Sequence, residues 1–199
     1  MSKDGVDTGR RRFLLTAATS GVAAIGAGFV AVPFLASWNP SARARAAGAP
    51  VEVDISKVEP GQLIRVEWRG KPVWVVRRTD QVLKDLATLD DQLRDPASDE
   101  SDQPENCKNP TRAIKEEFFV AVGICTHLGC SPTYRPEVAP ADLGAEWRGG
   151  FFCPCHGSRF DMAGRVYQSV PAPLNLVIPP YRYVDANTLI VGEAEEGAA

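Results

Sequence analysis

The sequence predicts an all-β head of antiparallel sheets with one helical insertion, preceded by a single N-terminal transmembrane helix. Three observations predict it. Beyond residue 50, short apolar or alternating runs recur between breaks rich in Gly and Pro, which is how strands are spaced. One stretch changes period: Val82, Leu83, Leu86, Leu89 and Leu93 fall at helical spacing. Leu14 to Trp38 contains no charged residue.

The N-terminal elements come first. Residues 1–13 read as a cytoplasmic N-terminus, in which Gly9-Arg10-Arg11-Arg12-Phe13-Leu14 contains R-R-x-F-L and resembles a twin-arginine export signal. Residues 14–38 form the anchor. As a helix this run is about 37 Å long at about 1.5 Å per residue, against a hydrocarbon core of roughly 30 Å. A removable signal has a shorter apolar region of roughly 7–15 residues, so a retained anchor is expected, although Ala42-Arg43-Ala44 and Ala44-Arg45-Ala46 both fit an A-x-A cleavage site. Residues 39–50, with Pro40, Gly48 and Pro50 and no apolar periodicity, read as a hinge or linker. The net charge of -3, without a basic patch, gives no support to nucleic-acid binding.

The head spans 51–192. Val51 to Ile55 alternates as a strand. Gln62 to Trp68 and Pro72 to Arg77 form a hairpin around Arg69-Gly70-Lys71. The helical insertion starts at an N-cap, Thr79 or Asp80, runs through Leu93 and stops before Pro96. Ala97 to Thr111 is polar, with Pro104 and Pro110, and reads as an extended surface loop; its Cys107 reads as an unpaired surface or semi-buried thiol. Phe118 to Val122 is a buried strand, Ser131 to Trp147 a long connector, and Gly149 to Phe152 a return strand. A turn at Ala163-Gly164 leads to the strand-like Arg165 to Gln168, and Leu174 to Ile178, Tyr181 to Val184 and Thr188 to Val191 close the sheet. Residues 193–199 form a short acidic tail, read as disordered.

Two boxes carry the chemistry: Cys125-Thr126-His127-Leu128-Gly129-Cys130 and Cys153-Pro154-Cys155-His156-Gly157-Ser158. The chain has five cysteines and two histidines, and only Cys107 lies outside the boxes. Six candidate ligands are more than one tetrahedral zinc can use. A [2Fe–2S] cluster held by two cysteines and two histidines uses four and leaves two cysteines over. A zinc ribbon or a purely structural disulfide set remains the alternative on ligand types alone.

The boxes resemble those of Rieske iron–sulfur proteins of the cytochrome bc1 type; similar boxes occur in b6f complexes and in arsenite oxidase small subunits. By motif position the resemblance implies one [2Fe–2S] cluster per subunit, with Cys125 and Cys153 on one iron and His127 and His156 on the other. It implies a disulfide between Cys130 and Cys155, and a cluster-binding subdomain over about residues 123–174. Ser158 matches a serine that donates to a cluster sulfide. Leu128 matches an apolar shield at the quinol pocket, and Val170-Pro171-Ala172-Pro173 matches a covering loop, with Pro173 against the cluster. Phe160 stands where many relatives have a tyrosine donor, and Val170 where the loop usually begins with glycine.

The ligand set has an electrostatic consequence. Two thiolates and two neutral imidazoles leave the oxidised cluster neutral, where four thiolates leave it a dianion. Adding an electron therefore costs less, and such clusters reach roughly −150 to +300 mV, against about −400 mV for plant-type ferredoxins. The function implied is that of a catalytic subunit of a proton-translocating quinol–cytochrome c reductase. It takes an electron and a proton from quinol at cytochrome b, with His156 and His127 as the catalytic imidazoles, and passes the electron to cytochrome c1. The expected partners are cytochrome b, cytochrome c1 and quinol within a dimeric, membrane-anchored bc1 complex. The expected address is the bacterial inner membrane, single-pass, with the head on the periplasmic side. The alternative is the small subunit of a molybdenum oxidase such as arsenite oxidase.

Overall fold

In the computed structural model, Gly5 and residues 7–194 are described; the extreme N-terminus and the end of the acidic tail lie outside the described residues. The chain divides into two compact units, Met1–Ala46 and Ala47–Ala199.

The first unit is helical. Helix α1 spans Thr8–Ser37, beginning ahead of the apolar run because the Asp7 carboxylate caps it, accepting from the Gly9 and Arg10 N–H groups at 2.9 and 3.1 Å. It carries Pro33 and has no buried residue, and it is long and apolar enough to cross a membrane. The linker is not without structure: Ala42–Ala47 forms a short helix, α2. Alanine and arginine favour helix, and the Ser41 hydroxyl accepts from the Ala44 N–H.

The second unit is the head, built of antiparallel sheets. Strands β1 (Val51–Asp54), β2 (Leu63–Trp68), β3 (Lys71–Arg77) and β4 (Phe118–Val122) come first in the chain. Then follow β5 (Thr133–Arg135), β6 (Gly150–Phe152), β7 (Arg159–Phe160), β8 (Tyr181–Tyr183) and β9 (Thr188–Val191). They form three sheets in the orders β1-β9-β8, β2-β3-β4 and β5-β6-β7. Val73 to Val76 and Phe119 to Ala121 are almost wholly buried. This follows from β3 being the central strand of its sheet with both faces covered, which its continuous apolar sequence requires. Phe151 stacks on Trp74, with centroids 4.9 Å apart, and joins the third sheet to this core. Full burial of such a ring is worth about 1.5–3 kcal/mol.

Five local expectations are corrected. Arg165 to Gln168 is not a strand: Val166 and Tyr167 form only isolated bridges, to Phe160 and Leu93. The helical insertion is only Asp80–Leu86 (α3), capped by Thr79; Leu89 and Leu93 are buried from a following 3-10 turn, Asp90–Gln92, and Leu93 bridges Tyr167. The 97–111 segment is not a surface loop throughout. Its 3-10 turn Glu105–Cys107 turns Cys107 fully inward, where the thiol meets the Tyr181 hydroxyl. The 131–147 connector contains β5, whose alternation is too short to stand out in sequence. Leu174 to Ile178 is extended but is not a strand, because its polar groups bond to several different segments.

Candidate metal centre

The first box links the second sheet to the third, and the second box lies within the third. The first fills the path from β4 to β5, and the second is the loop that joins β6 to β7. Each folds the same way. The Cys125 N–H donates to the Cys130 carbonyl at 2.8 Å and the Gly129 N–H to the Cys125 carbonyl at 3.1 Å. In the second box, Cys153 N–H donates to the Ser158 carbonyl at 2.8 Å and Gly157 N–H to the Cys153 carbonyl at 2.9 Å. Gly129 and Gly157 have φ of 82° and 76°, a left-handed backbone that glycine adopts without strain. The matched loops place Cys125 opposite Cys153, both 2% exposed.

The two side chains interact as hydrogen-bond neighbours. Burial, first, pushes the Cys125 thiol above its ordinary range, and contact with Cys153 adds to it; the His127 N–H and the Ser158 hydroxyl pull the other way. The imidazoles lie further out: the His127 and His156 rings are edge to face with centroids 4.8 Å apart, His127 half-buried and His156 exposed. Leu128, 71% exposed, stands beside them on the same loop.

Cys130 and Cys155 form a disulfide, with Cα atoms 6.7 Å apart and a sequence separation of 25 residues. In the chain-entropy picture a loop of that size is worth about 3.5 kcal/mol. The sulfurs of Cys130, Cys153 and Cys155 lie within 4.8 Å of one another. The disulfide removes two of the three from ligation, so this trio is not a metal site. What remains is two sulfurs inside and two imidazoles outside, a donor set that fits an iron–sulfur cluster of mixed ligation.

Ser158 is fully buried, its hydroxyl against the Cys125 sulfur and accepting from the Ala172 N–H at 3.1 Å. Ala172 is buried between exposed Pro171 and Pro173, so the loop touches the site through its backbone and leaves both prolines outward. Phe160 is fully buried in β7. Sequence reasoning missed two supports. The Thr126 hydroxyl donates to the Leu174 carbonyl at 2.6 Å, tying the first box to the loop 170–174. Gly123 lies against the Trp74 indole, where a Cβ would come within 2.2 Å of the ring.

The family described as Rieske [2Fe-2S] domain matches residues 50–181. Residues 1–41 match the family described as Ubiquitinol-cytochrome C reductase Fe-S subunit TAT signal. The chain is 63% identical over 199 residues, covering 100% of it and 95% of the relative, to a ubiquinol-cytochrome c reductase iron-sulfur subunit from Allochromatium vinosum. With the subunit of the same description from Blastochloris viridis it shares 41% over 192 residues, 96% of this chain and 97% of that one. Among solved structures, one titled "Hyperthermophilic respiratory Complex III" aligns over 86% of this chain and 98% of its own, with 28% identity and a TM-score of 0.48.

Proposed function

The chain belongs to the Rieske [2Fe–2S] family of ubiquinol–cytochrome c reductase iron–sulfur subunits, and from that membership we propose how its own residues serve the electron transfer. The [2Fe–2S] cluster supplies a one-electron acceptor. Cys125 and Cys153 would hold one iron of that cluster, and His127 and His156 the other. His156, the more exposed imidazole, would take the quinol proton on its outward ring nitrogen once that nitrogen has given up its own N–H proton, with exposed Leu128 as the apolar wall beside it. The Ser158 hydroxyl lies against the Cys125 sulfur, so we assign its bond to that sulfur and not to a cluster sulfide as the resemblance implied; donating there, it would stabilise the added charge. Electron and proton come from quinol at cytochrome b, the electron goes on to cytochrome c1, and the subunit works within a dimeric complex.

The single-pass anchor is α1, and the head lies on the periplasmic side. Supporting this are the match to a twin-arginine signal family and the disulfide, which persists in an oxidising compartment.

The observation that carries the ligand reading is the pair of buried, interacting cysteines beneath two adjoining surface imidazoles. Purified protein should contain two irons and two acid-labile sulfides per chain, with a mixed nitrogen and sulfur EPR signature, as expected of this cluster type. Changing either histidine to alanine should abolish the signal, since the sequence holds no third histidine. Stoichiometric zinc without sulfide would end the reading.

A further inference from the structure

Arg112 is fully buried and lies outside both boxes. Its guanidinium makes a fork of charged donors. Nε donates to Gln103 Oε1 at 2.9 Å, Nη1 to the Ala163 and Gly164 carbonyls at 3.1 and 3.4 Å, and Nη2 to the Leu176 carbonyl at 2.8 Å. Burial lowers its pKa to about 10, so it stays charged at neutral pH.

The choice of carbonyls matters. Ala163 and Gly164 follow Ser158 around the turn beyond β7, and Leu176 follows Ala172 along the covering loop. Arg112 therefore bridges the two segments that also meet through the Ala172 N–H to Ser158 Oγ bond. The Leu176 N–H donates to the Gly164 carbonyl at 2.8 Å beside the same guanidinium. The covering loop is held at its near end by Ser158, in its middle by Thr126 through the Leu174 carbonyl, and at its far end by Arg112. Because the Ala172 N–H occupies one acceptor direction of the serine oxygen, it narrows the directions in which the hydroxyl proton can point.

We propose that Arg112 is a positioning residue for electron transfer: by clamping the Leu176 and Gly164 segments together it keeps Ala172 on Ser158, and so keeps the Ser158 hydroxyl directed at the ligand sulfur. This deepens the reading of Ser158 given above and rests on it. The residue acts through geometry, so a lysine, which retains the charge but cannot reach three carbonyls from a flat fork, should not replace it.

The test uses the full-length, cluster-bearing chain in its membrane complex, with midpoint potential, reduced EPR line shape and iron content as readouts. Arg112→Lys should lower the reduction equilibrium constant of the cluster at least twofold, about 18 mV at 59 mV per tenfold. Gln103→Leu loosens the clamp more mildly and should shift it in the same direction, which keeps the question open to measurement if Arg112→Lys fails to assemble. In a Ser158→Ala background neither change should move the potential further, because the hydroxyl through which they act is gone. A shift of equal size in that background, or loss of iron with the remaining cluster at wild-type potential, would overturn the proposal and leave Arg112 a scaffold residue. If Ser158→Ala itself leaves the potential unchanged, the serine reading fails and this one with it; if only the Arg112 and Gln103 variants are silent, the serine reading stands alone.

Discussion

At the scale of single residues, the site is tuned by groups that are not ligands. Ser158 and Phe160 lie two residues apart on the way out of the second box, both fully buried. In the function proposed above the serine would donate to a ligand sulfur, and Phe160 would take the place of a donor without donating. A hydrogen bond to a charged group is worth about 1.5–3 kcal/mol. Only the part of that strength that differs between redox states reaches the potential, so shifts on the order of tens of millivolts follow. Ser158→Ala is expected to lower the midpoint, and Phe160→Tyr to raise it, in a redox titration of each variant against wild type. An unchanged midpoint in Phe160→Tyr would mean that the new hydroxyl bonds elsewhere. The ligand candidates were legible from sequence because coordination chemistry resides in residue identity at fixed spacing. Arg112 and the Ala172 N–H were not. A backbone donor has no letter of its own, and an arginine acting on carbonyls 51 to 64 residues away leaves no local pattern. Cys107 misled for a related reason: its neighbours Asn106 and Lys108 are polar, yet a single 3-10 turn is enough to reverse which of them faces the core.

At the scale of elements, the site depends on how closely the first box sits on the core. The Gly123 N–H donates to the Pro72 carbonyl at 2.8 Å, and the Trp74 indole fills the space where a side chain would be. Gly123 is two residues before Cys125, so whatever moves it moves a ligand. Gly123→Ala forces a methyl into a packed ring, and overpacking of this kind costs about 1–3 kcal/mol. The expected outcome is a lower melting temperature together with a lower iron content, measured on the same preparation. Full iron content at wild-type stability would show that the tryptophan swings aside freely. The elements themselves were readable wherever one period dominated: the hairpin of β2 and β3, the uniformly buried β4, and β9. They were unreadable where tertiary bonds decide. Leu174 to Ile178 has the apolar character of a strand, but Leu174 accepts from Thr126 and Leu176 from Arg112, Val177 accepts from the Val122 N–H, and the Ile178 N–H donates to Asp102. Four partners in four places hold a chain extended without making a ladder. The insertion likewise keeps its leucines buried after α3 ends, because burial there is set by the bridge from Leu93 to Tyr167 and not by helical period.

At the scale of the whole molecule, the head carries all four tyrosines of the chain, and each is held back from ionising. Burial is the first cause in every case: Tyr134 is pushed up to about 12, and Tyr167, Tyr181 and Tyr183 are pushed upward as well. They are spread through the head, Tyr134 donating to the Gly61 carbonyl, Tyr167 stacked near Trp147, and Tyr181 and Tyr183 on the sheet with β1 and β9. The sign of the pH dependence follows from linkage. An unfolded tyrosine ionises near pH 10. Above that pH the unfolded chain binds fewer protons than the folded one, so stability falls as pH rises; below it, the contribution is fully present. Four groups acting together should make the alkaline limit steep. Tyrosinate absorbance in the cluster-bearing protein should therefore stay flat past about pH 10 and then rise together with loss of the fold, in one transition. Tyr134→Phe keeps the ring beside Phe151 and removes one titrating group, so the same transition should become shallower in pH. Its neutral-pH stability should drop by about 1 kcal/mol for the lost bond to Gly61. Tyrosines that ionise one by one near their ordinary pKa, with the fold intact, would show that solvent reaches them and that the head is held together less tightly than its packing implies.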